Sequence, residues 1–520
     1  MIDRRAFLSV LAVASLVPKA ALSRVDAPFA FDFETLQSLA RDLRGRPYVP
    51  AVSPADAILD KIHYVEHGEI RHDPKKAFLP DSEFPFTAFP LAKLFRRPVR
   101  LFTLVDGKAS EIPYDANLFA HPSGGPGIDL PDDAGFAGFR LHDRVRGGGG
   151  SMGDWAAFLG ASYFRADGDE NQYGISARGV AVNTEAPLGD QFEEFPDFTR
   201  FYVSPAKGGA VEVLALLDGP SLTGAFRFVI RHKPHAIFDV ACRLYLRKDV
   251  RRLGIAPGTS MFDHSETIRW RRNDWRPEVH DSDGLLMANG SGEWIWRPLN
   301  NPPRVMVSYF ADESPKGFGL MQRDRAYENY LDPGVRYDRR PHLWVEPKAA
   351  WGKGTIQLVE IPTSDEYHDN IVAFWVPEKP ARAGDDLSFD YRLRFSAAEP
   401  GPARLAKCVA TRTSRIFETI PEERPAGGEP THRDFILEFS GPGLAGKDPK
   451  KAKASIWANR GHVSQIHVEP RPQDPNAWRV FFRVHARGEL PVELGVSIAY
   501  EGKAVTETWL SQYHPEHLAT

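Results

Sequence analysis

The chain has 520 residues, a formal net charge of −4, and 42% hydrophobic and 26% charged residues. That length allows two or more domains with sizeable cores, and the composition is that of a soluble globular protein. The near balance of charge leaves no basic footprint, which argues against nucleic acid as a partner.

Residues 1–23 read as an export signal. Arg4-Arg5-Ala-Phe-Leu8 opens a charged n-region, Ala6–Val17 is an apolar run too short to span a bilayer, and Ala21-Leu22-Ser23 resembles a cleavage site. The arginine pair followed by Phe7-Leu8 resembles a twin-arginine signal, with Asp3 where Ser or Thr is usual. A soluble, periplasmic protein is expected. The two cysteines, Cys242 and Cys408, are too few for a disulfide framework, and Cys242 reads as a buried strand thiol.

Phe33, Leu36, Leu39, Ala40 and Leu43 recur at helical spacing and stop at Gly45 and Pro47. A second short helix is expected near Ser53–Ile62. Strand patterns follow. Val99–Val105 and Ala109–Pro113 form a hairpin around Asp106-Gly107, whose positive φ suits a tight turn. Arg146–Ser151 holds four consecutive glycines but lacks the Gly-Lys-Ser/Thr ending of a phosphate loop, so a flexible loop is expected. Leu159–Arg165 and Tyr173–Gly179 are strand-like. Val211–Leu217 with Ala225–Ile230, and Val305–Phe310 with Gly317–Gln322, read as further hairpins. Leu387–Phe395 alternates as a half-buried antiparallel strand.

Ala397–Ala403 reads as a Pro/Gly-rich linker. About seven short strand candidates follow it, which fits an immunoglobulin-like sandwich. The fold expected is therefore all-β: a signal at 1–23, a large β-sandwich over 24–396, a linker at 397–404 and an immunoglobulin-like sandwich over 405–520.

Trp275–Trp375 is the densest stretch for chemistry. Seven of the chain's 11 tryptophans fall at 270, 275, 294, 296, 344, 351 and 375. Acids, imidazoles and guanidiniums stand among them. Aromatic faces flanked by acids suit a sugar, which offers apolar C–H faces and a ring of hydroxyls. Glycoside hydrolysis needs one protonated and one ionised carboxyl, and Asp281 and Asp369, each preceded by a histidine, are the candidates. Glu366, Asp283 and Asp365 are neighbours able to raise the acid's pKa. A metal held by His280-Asp281 and His368-Asp369 matches no zinc spacing, and no Gly-x-Ser-x-Gly elbow accompanies a usable histidine. Arg339 and Arg340 can serve sugar hydroxyls, an anionic substituent or carboxylates. The Trp294/Trp296 pair reads as core rather than platform.

Several strings carry a resemblance. Trp275-Arg-Pro-Glu-Val-His-Asp-Ser-Asp-Gly284, Gly292–Asn301, Pro315–Asp324, Tyr337-Asp-Arg-Arg-Pro341, Leu358–Pro362 and Glu366–Trp375, with Leu159–Arg165 and Tyr173–Gly179 before them, resemble the periplasmic glucan biosynthesis G/D family. The twin-arginine start is closest to its D branch. The resemblance covers nearly the whole mature chain.

It implies a role in shaping osmoregulated periplasmic glucans, by inverting cleavage or transglycosylation of β-1,2-glucan. Asp369 would be the general acid and Asp281 the general base, acting directly or through a relay of waters or substrate hydroxyls. Glu366, Tyr337, Arg339, Arg340, Trp344, Asp283 and His368 would bind substrate, with neither metal nor cofactor. The partners it leaves room for are β-1,2-glucan, a membrane glucan synthase and a second copy of the chain. The competing class is a non-catalytic glucan-binding scaffold that assists such a synthase.

Overall fold

A computed structural model describes residues 27–53, 55–120, 130–131, 133–144, 153–184, 192–416, 432–472 and 474–515. The expected signal and the glycine run Gly147–Gly150 lie outside them.

The first helix spans Phe33–Arg44, begins where the Asp32 side chain accepts from the Thr35 amide at 2.7 Å, and ends at Gly45. Its Leu36 and Ala40 pack on the outer face of a sheet with Phe102, Tyr202 and Leu214. In place of one short helix near Ser53–Ile62, the chain forms two, Asp56–Leu59 and Tyr64–Glu69. No helix among the described residues is long and apolar enough to cross a membrane.

Strands dominate the rest, as expected. A 16-stranded and a 10-stranded sheet pack face to face over one apolar core. Phe158, on the smaller sheet, lies 4.9 Å (between ring centroids) from Phe139, 5.3 Å from Phe164 and 5.4 Å from Phe201 of the facing sheet. Burying such a ring contributes roughly 1.5–3 kcal/mol. The Arg100–Val105/Lys108–Ile112 hairpin turns at Asp106 (φ 49°) and Gly107 (φ 72°). Ala210–Asp218 pairs with Leu222–Arg231, and Asp386–Ser396 lies between Ala236–Leu246 and His342–Pro347.

One expected hairpin does not form. Met306–Glu313 is an edge strand of the smaller sheet and pairs with Lys353–Glu360, while Gly317–Met321 lies inside the large sheet. The two burial patterns explain the split. The first strand is partly exposed throughout and the second is wholly buried, so they cannot share one environment. Likewise, Leu159–Arg165 is a turn at Gly160-Ala161 between the strands Gly153–Leu159 and Tyr163–Ala166.

The C-terminal strands in chain order are Lys407–Ile416, His432–Ser440, Ala452–Ala458, His462–Arg471, Asp474–His485, Val492–Tyr500 and Thr508–Tyr513, with the two-residue Lys503–Ala504 beside the sixth. The first, second, fifth and fourth form one sheet, and the third, sixth and seventh the other. That is the strand order of an immunoglobulin-type sandwich. Its second sheet is continuous with the large sheet, because Thr508 and Trp509 pair in parallel with Ile295 and Trp296. Arg323 fastens this junction. It lies 3.6 Å over the Trp296 ring and donates to Glu399, to Glu507 and to the Cys408 carbonyl.

Candidate active site

The two aspartates reach one place from different sheets. The strand Leu253–Ser260 of the smaller sheet carries a bulge at Ala256 (φ 50°) and leads to Met261, whose carbonyl accepts from the Asp281 amide at 2.8 Å. Asp281 follows the short strand Val279–His280, just before the chain enters the large sheet as Gly284–Ala288. Asp369 precedes Ile371–Pro377 of the smaller sheet. The buried Asn370 holds it there. Its side chain accepts from the Phe262 amide at 2.7 Å and donates to the carbonyls of Phe262 and Ile361 at 2.9 Å.

Asp281 is buried, and Arg340 donates to its carboxylate. Burial raises its pKa, opposed by the charges of Arg340, His280 and Arg165. At Asp369 burial acts first and the negative charge of Asp281 adds to it, so its pKa is pushed up to about 6 against the pull of Arg165, Arg178 and Arg340. Asp369 keeps an exposed surface although protein atoms crowd it. Both hold together for a side chain in the wall of a groove, and the crowding governs its charge while the exposure governs access. The two carboxyls thus have opposite dressing, an arginine on one and a like charge facing the other.

Around the pair, the Tyr337 hydroxyl donates to Glu366 at 2.5 Å, and Arg276 donates to the same oxygen at 2.7 Å and to Asp332 at 3.1 Å. Burial, then the bond to Glu366, keep the Tyr337 phenol protonated. The Arg340 guanidinium stacks 4.6 Å over the Tyr337 ring. Tyr337 opens a short 3-10 turn entered through Arg336 in the left-handed region (φ 54°), which Asp338 steadies by accepting from Arg336 at 2.9 and 2.6 Å. Gly174 lies flat against Arg340: a Cβ there would stand 3.0 Å from the Arg340 Cβ.

The structure therefore brings Asp281, Asp369, Glu366, Tyr337 and Arg340 together. Two other expected substrate contacts, Trp344 and Asp283, are corrected, while Arg339 and His368 stay at the surface. Trp344 is buried and stacked on Trp294, 5.8 Å between centroids, because its strand face packs into the junction between the sandwiches. Asp283 points behind the groove, where it accepts from the Asp324 amide at 2.6 Å and faces His280. Arg339 turns outward towards Glu170, 3.6 Å away. His368 is 79% exposed and bonded to Asp365, while His280 is wholly buried, so these two histidines share no metal centre.

Glu278, His280 and Asp283 bring ligand atoms within 4.8 Å of one another. Each carboxylate, however, faces the same ring nitrogen, at 2.9 and 3.4 Å, which makes the trio an ion cluster around a donor N–H. Residues not singled out by spacing are Arg165, Arg178 and Arg276. Arg178 is buried between the rings of Tyr163 and Phe195, 5.0 and 4.8 Å away. Their only sequence signal was membership of the family-like strings.

A half-open cavity of about 390 Å³ between the sandwiches is lined by Glu266, Glu278, Arg323 and Asp324. Of the aspartate pair, Asp369 meets solvent and Asp281 lies buried behind it.

Fold and groove together define a two-sandwich β protein with paired carboxyls of unequal environment. The chain belongs to the family described as "Periplasmic glucan biosynthesis protein, MdoG", which matches residues 31–513. It is 47% identical to "Glucans biosynthesis protein D 2" of Ralstonia nicotianae, covering 99% of this chain and 98% of that one. It is 43% identical to "Glucans biosynthesis protein D" of Xanthomonas oryzae pv. oryzae and to that of Stenotrophomonas maltophilia, covering 95% of this chain and 92% of each relative.

Proposed function

We propose that this chain is a periplasmic glycoside hydrolase or transglycosylase that inverts configuration as it breaks β-1,2-glucan. A role in glucan biosynthesis follows from the family and from the names of the relatives. The observation that supports catalysis is the pair Asp281 and Asp369, coupled through their charges yet oppositely dressed. In this reading Asp369 enters protonated and gives its proton to the glycosidic oxygen. Water attacks the anomeric carbon from the other face, and its proton passes to ionised Asp281 directly or through waters or substrate hydroxyls. A sugar hydroxyl in place of that water makes the same step a transfer. Solvent returns the proton to Asp369. Tyr337, Glu366 and Arg276 form a fixed hydrogen-bonded wall that can orient sugar hydroxyls. Trp275 and Tyr367, 64% and 85% exposed beside Arg276 and Glu366, offer faces on which a sugar ring can stack.

Product analysis on linear β-1,2-glucan tests this. Shorter or cyclised products from the native protein, absent with Asp369→Asn and Asp281→Asn, agree with it. Binding without turnover leaves the scaffold reading, in which the chain assists a membrane glucan synthase.

A further inference from the structure

His280 stands directly before Asp281 and is fully buried, yet its ring touches no substrate-facing surface. Its protonation can be read from its partners. The Gln322 side-chain nitrogen points at the carbonyls of His280 and Tyr337, both at 3.0 Å, and at the Tyr330 hydroxyl at 3.1 Å. Carbonyls only accept, so this end is the amide NH2, and the Gln322 oxygen is the atom 3.0 Å from His280 Nδ1. Nδ1 therefore carries a hydrogen. On the other side, Nε2 faces Glu278 Oε2 at 2.9 Å and Asp283 Oδ1 at 3.4 Å. With two acidic oxygens converging on it, Nε2 carries a hydrogen too.

We infer that His280 is an imidazolium, charged across the neutral range, that acts as a positioning residue for Asp281, holding the base ionised from within the protein while Arg340 does so from the other side. This rests on the assignment of Asp281 as the base. Burial alone would lower the His280 pKa, but Asp283 and the bond to Glu278 outweigh it and lift it to about 9. The ring is fixed in place by Phe262, stacked at 5.5 Å, and Tyr330, edge-on at 5.3 Å. Gln322 also ties the carbonyl of His280 to that of Tyr337, so the segments carrying Asp281 and Arg340 share one anchor.

The charges facing this network come from every side. Asp281 meets Arg340, Arg165, Glu366 and Asp369 in the groove. His280 meets Glu278 and Asp283, beyond which stand Asp324 and Glu266. The Glu266 carboxyl accepts from the Thr411 amide of the C-terminal sandwich at 2.9 Å. Docking of that sandwich therefore completes the network behind the base.

Two substitutions separate charge from structure. His280→Gln removes the cation and raises the pKa of Asp281, moving the acid limb of the kcat/KM profile up by about one pH unit. Glu278→Gln removes a counter-charge and leaves His280 less neutralised, so the limb moves down. Opposite shifts support the inference. Limbs that stay in place, or that move the same way, overturn it. Should His280→Gln fail to fold, the ring NMR of the native protein decides alone. A readout free of catalysis is the nitrogen NMR of the histidine rings. Two N–H signals for His280 through pH 8 are expected, and a single neutral tautomer overturns the proposal. If native protein leaves β-1,2-glucan intact, the catalytic reading fails and this NMR result still judges His280.

Discussion

Arg340→Gln removes the guanidinium bonded to Asp281 and puts a shorter, neutral amide in its place. The side chains of the pair are 16% and 9% exposed, so solvent screens their attraction weakly. At an effective dielectric of about 20, unit charges some 4 Å apart interact by about 4 kcal/mol. An arginine beside an aspartate lowers its pKa by roughly 1–3 units, each worth about 1.4 kcal/mol. Loss of Arg340 should therefore raise the Asp281 pKa by that amount, adding to the effect of burial. The native profile on β-1,2-glucan should fall as pH rises through about 6, where Asp369 loses its proton. It should fall again on the acid side as Asp281 gains one. In Arg340→Gln the acid limb should shift up by about 1–3 units, so kcat/KM on the acid side of the native limb should drop by roughly 10- to 1,000-fold, with a smaller loss near pH 6. Arg340→Lys, which keeps the charge, should recover part of the loss. The assay is kcat/KM against pH for the three proteins, with melting curves run alongside. A variant with native stability and an unmoved acid limb would refute the electrostatic role of Arg340.

Phe158→Ala should cost about 3–5 kcal/mol by denaturant titration, because the ring is fully buried among Phe139, Phe164, Phe201 and Phe228. Arg323→Leu should leave Glu507 buried without its cation and Glu399 with Lys407 alone, and cost about 3–5 kcal/mol, read as earlier melting. Trp275→Ala should raise KM for β-1,2-glucan by roughly tenfold with little change in stability, since the ring is 64% exposed. A KM equal to that of the native protein would remove Trp275 from the binding surface.

Local pattern was a good guide to local structure. The spacing of Phe33, Leu36, Ala40 and Leu43 gave the first helix, Asp106-Gly107 the turn, and the alternation through Leu387–Phe395 a strand. Sheet membership was not legible, because it depends on partners far along the chain. Met306–Glu313 and Gly317–Met321 are neighbours in sequence yet join different sheets. The pairing of Trp296 with Trp509 that makes one sheet run through both sandwiches has no local signal either.

In the site, Asp281, Asp369 and Glu366 were legible from acids clustered among tryptophans, while the roles of the two aspartates and the place of Tyr337 came from the family-like strings. Trp344 shows why clustering misleads: tryptophans near in sequence alternate between strand faces, and its face is the buried one. Arg165 and Arg178 stand on strands more than a hundred positions before Asp281, so only the fold reveals that Arg165 faces both aspartates and Arg178 faces Asp369.

The roles assigned to Asp369 and Asp281 are tested most directly by time-resolved NMR of linear β-1,2-glucan. The native protein should first produce the α configuration at each anomeric carbon released from a β bond. Asp369→Asn and Asp281→Asn should produce no new anomeric signal. First appearance of the β configuration, or undiminished cleavage by either variant, would contradict the assignment.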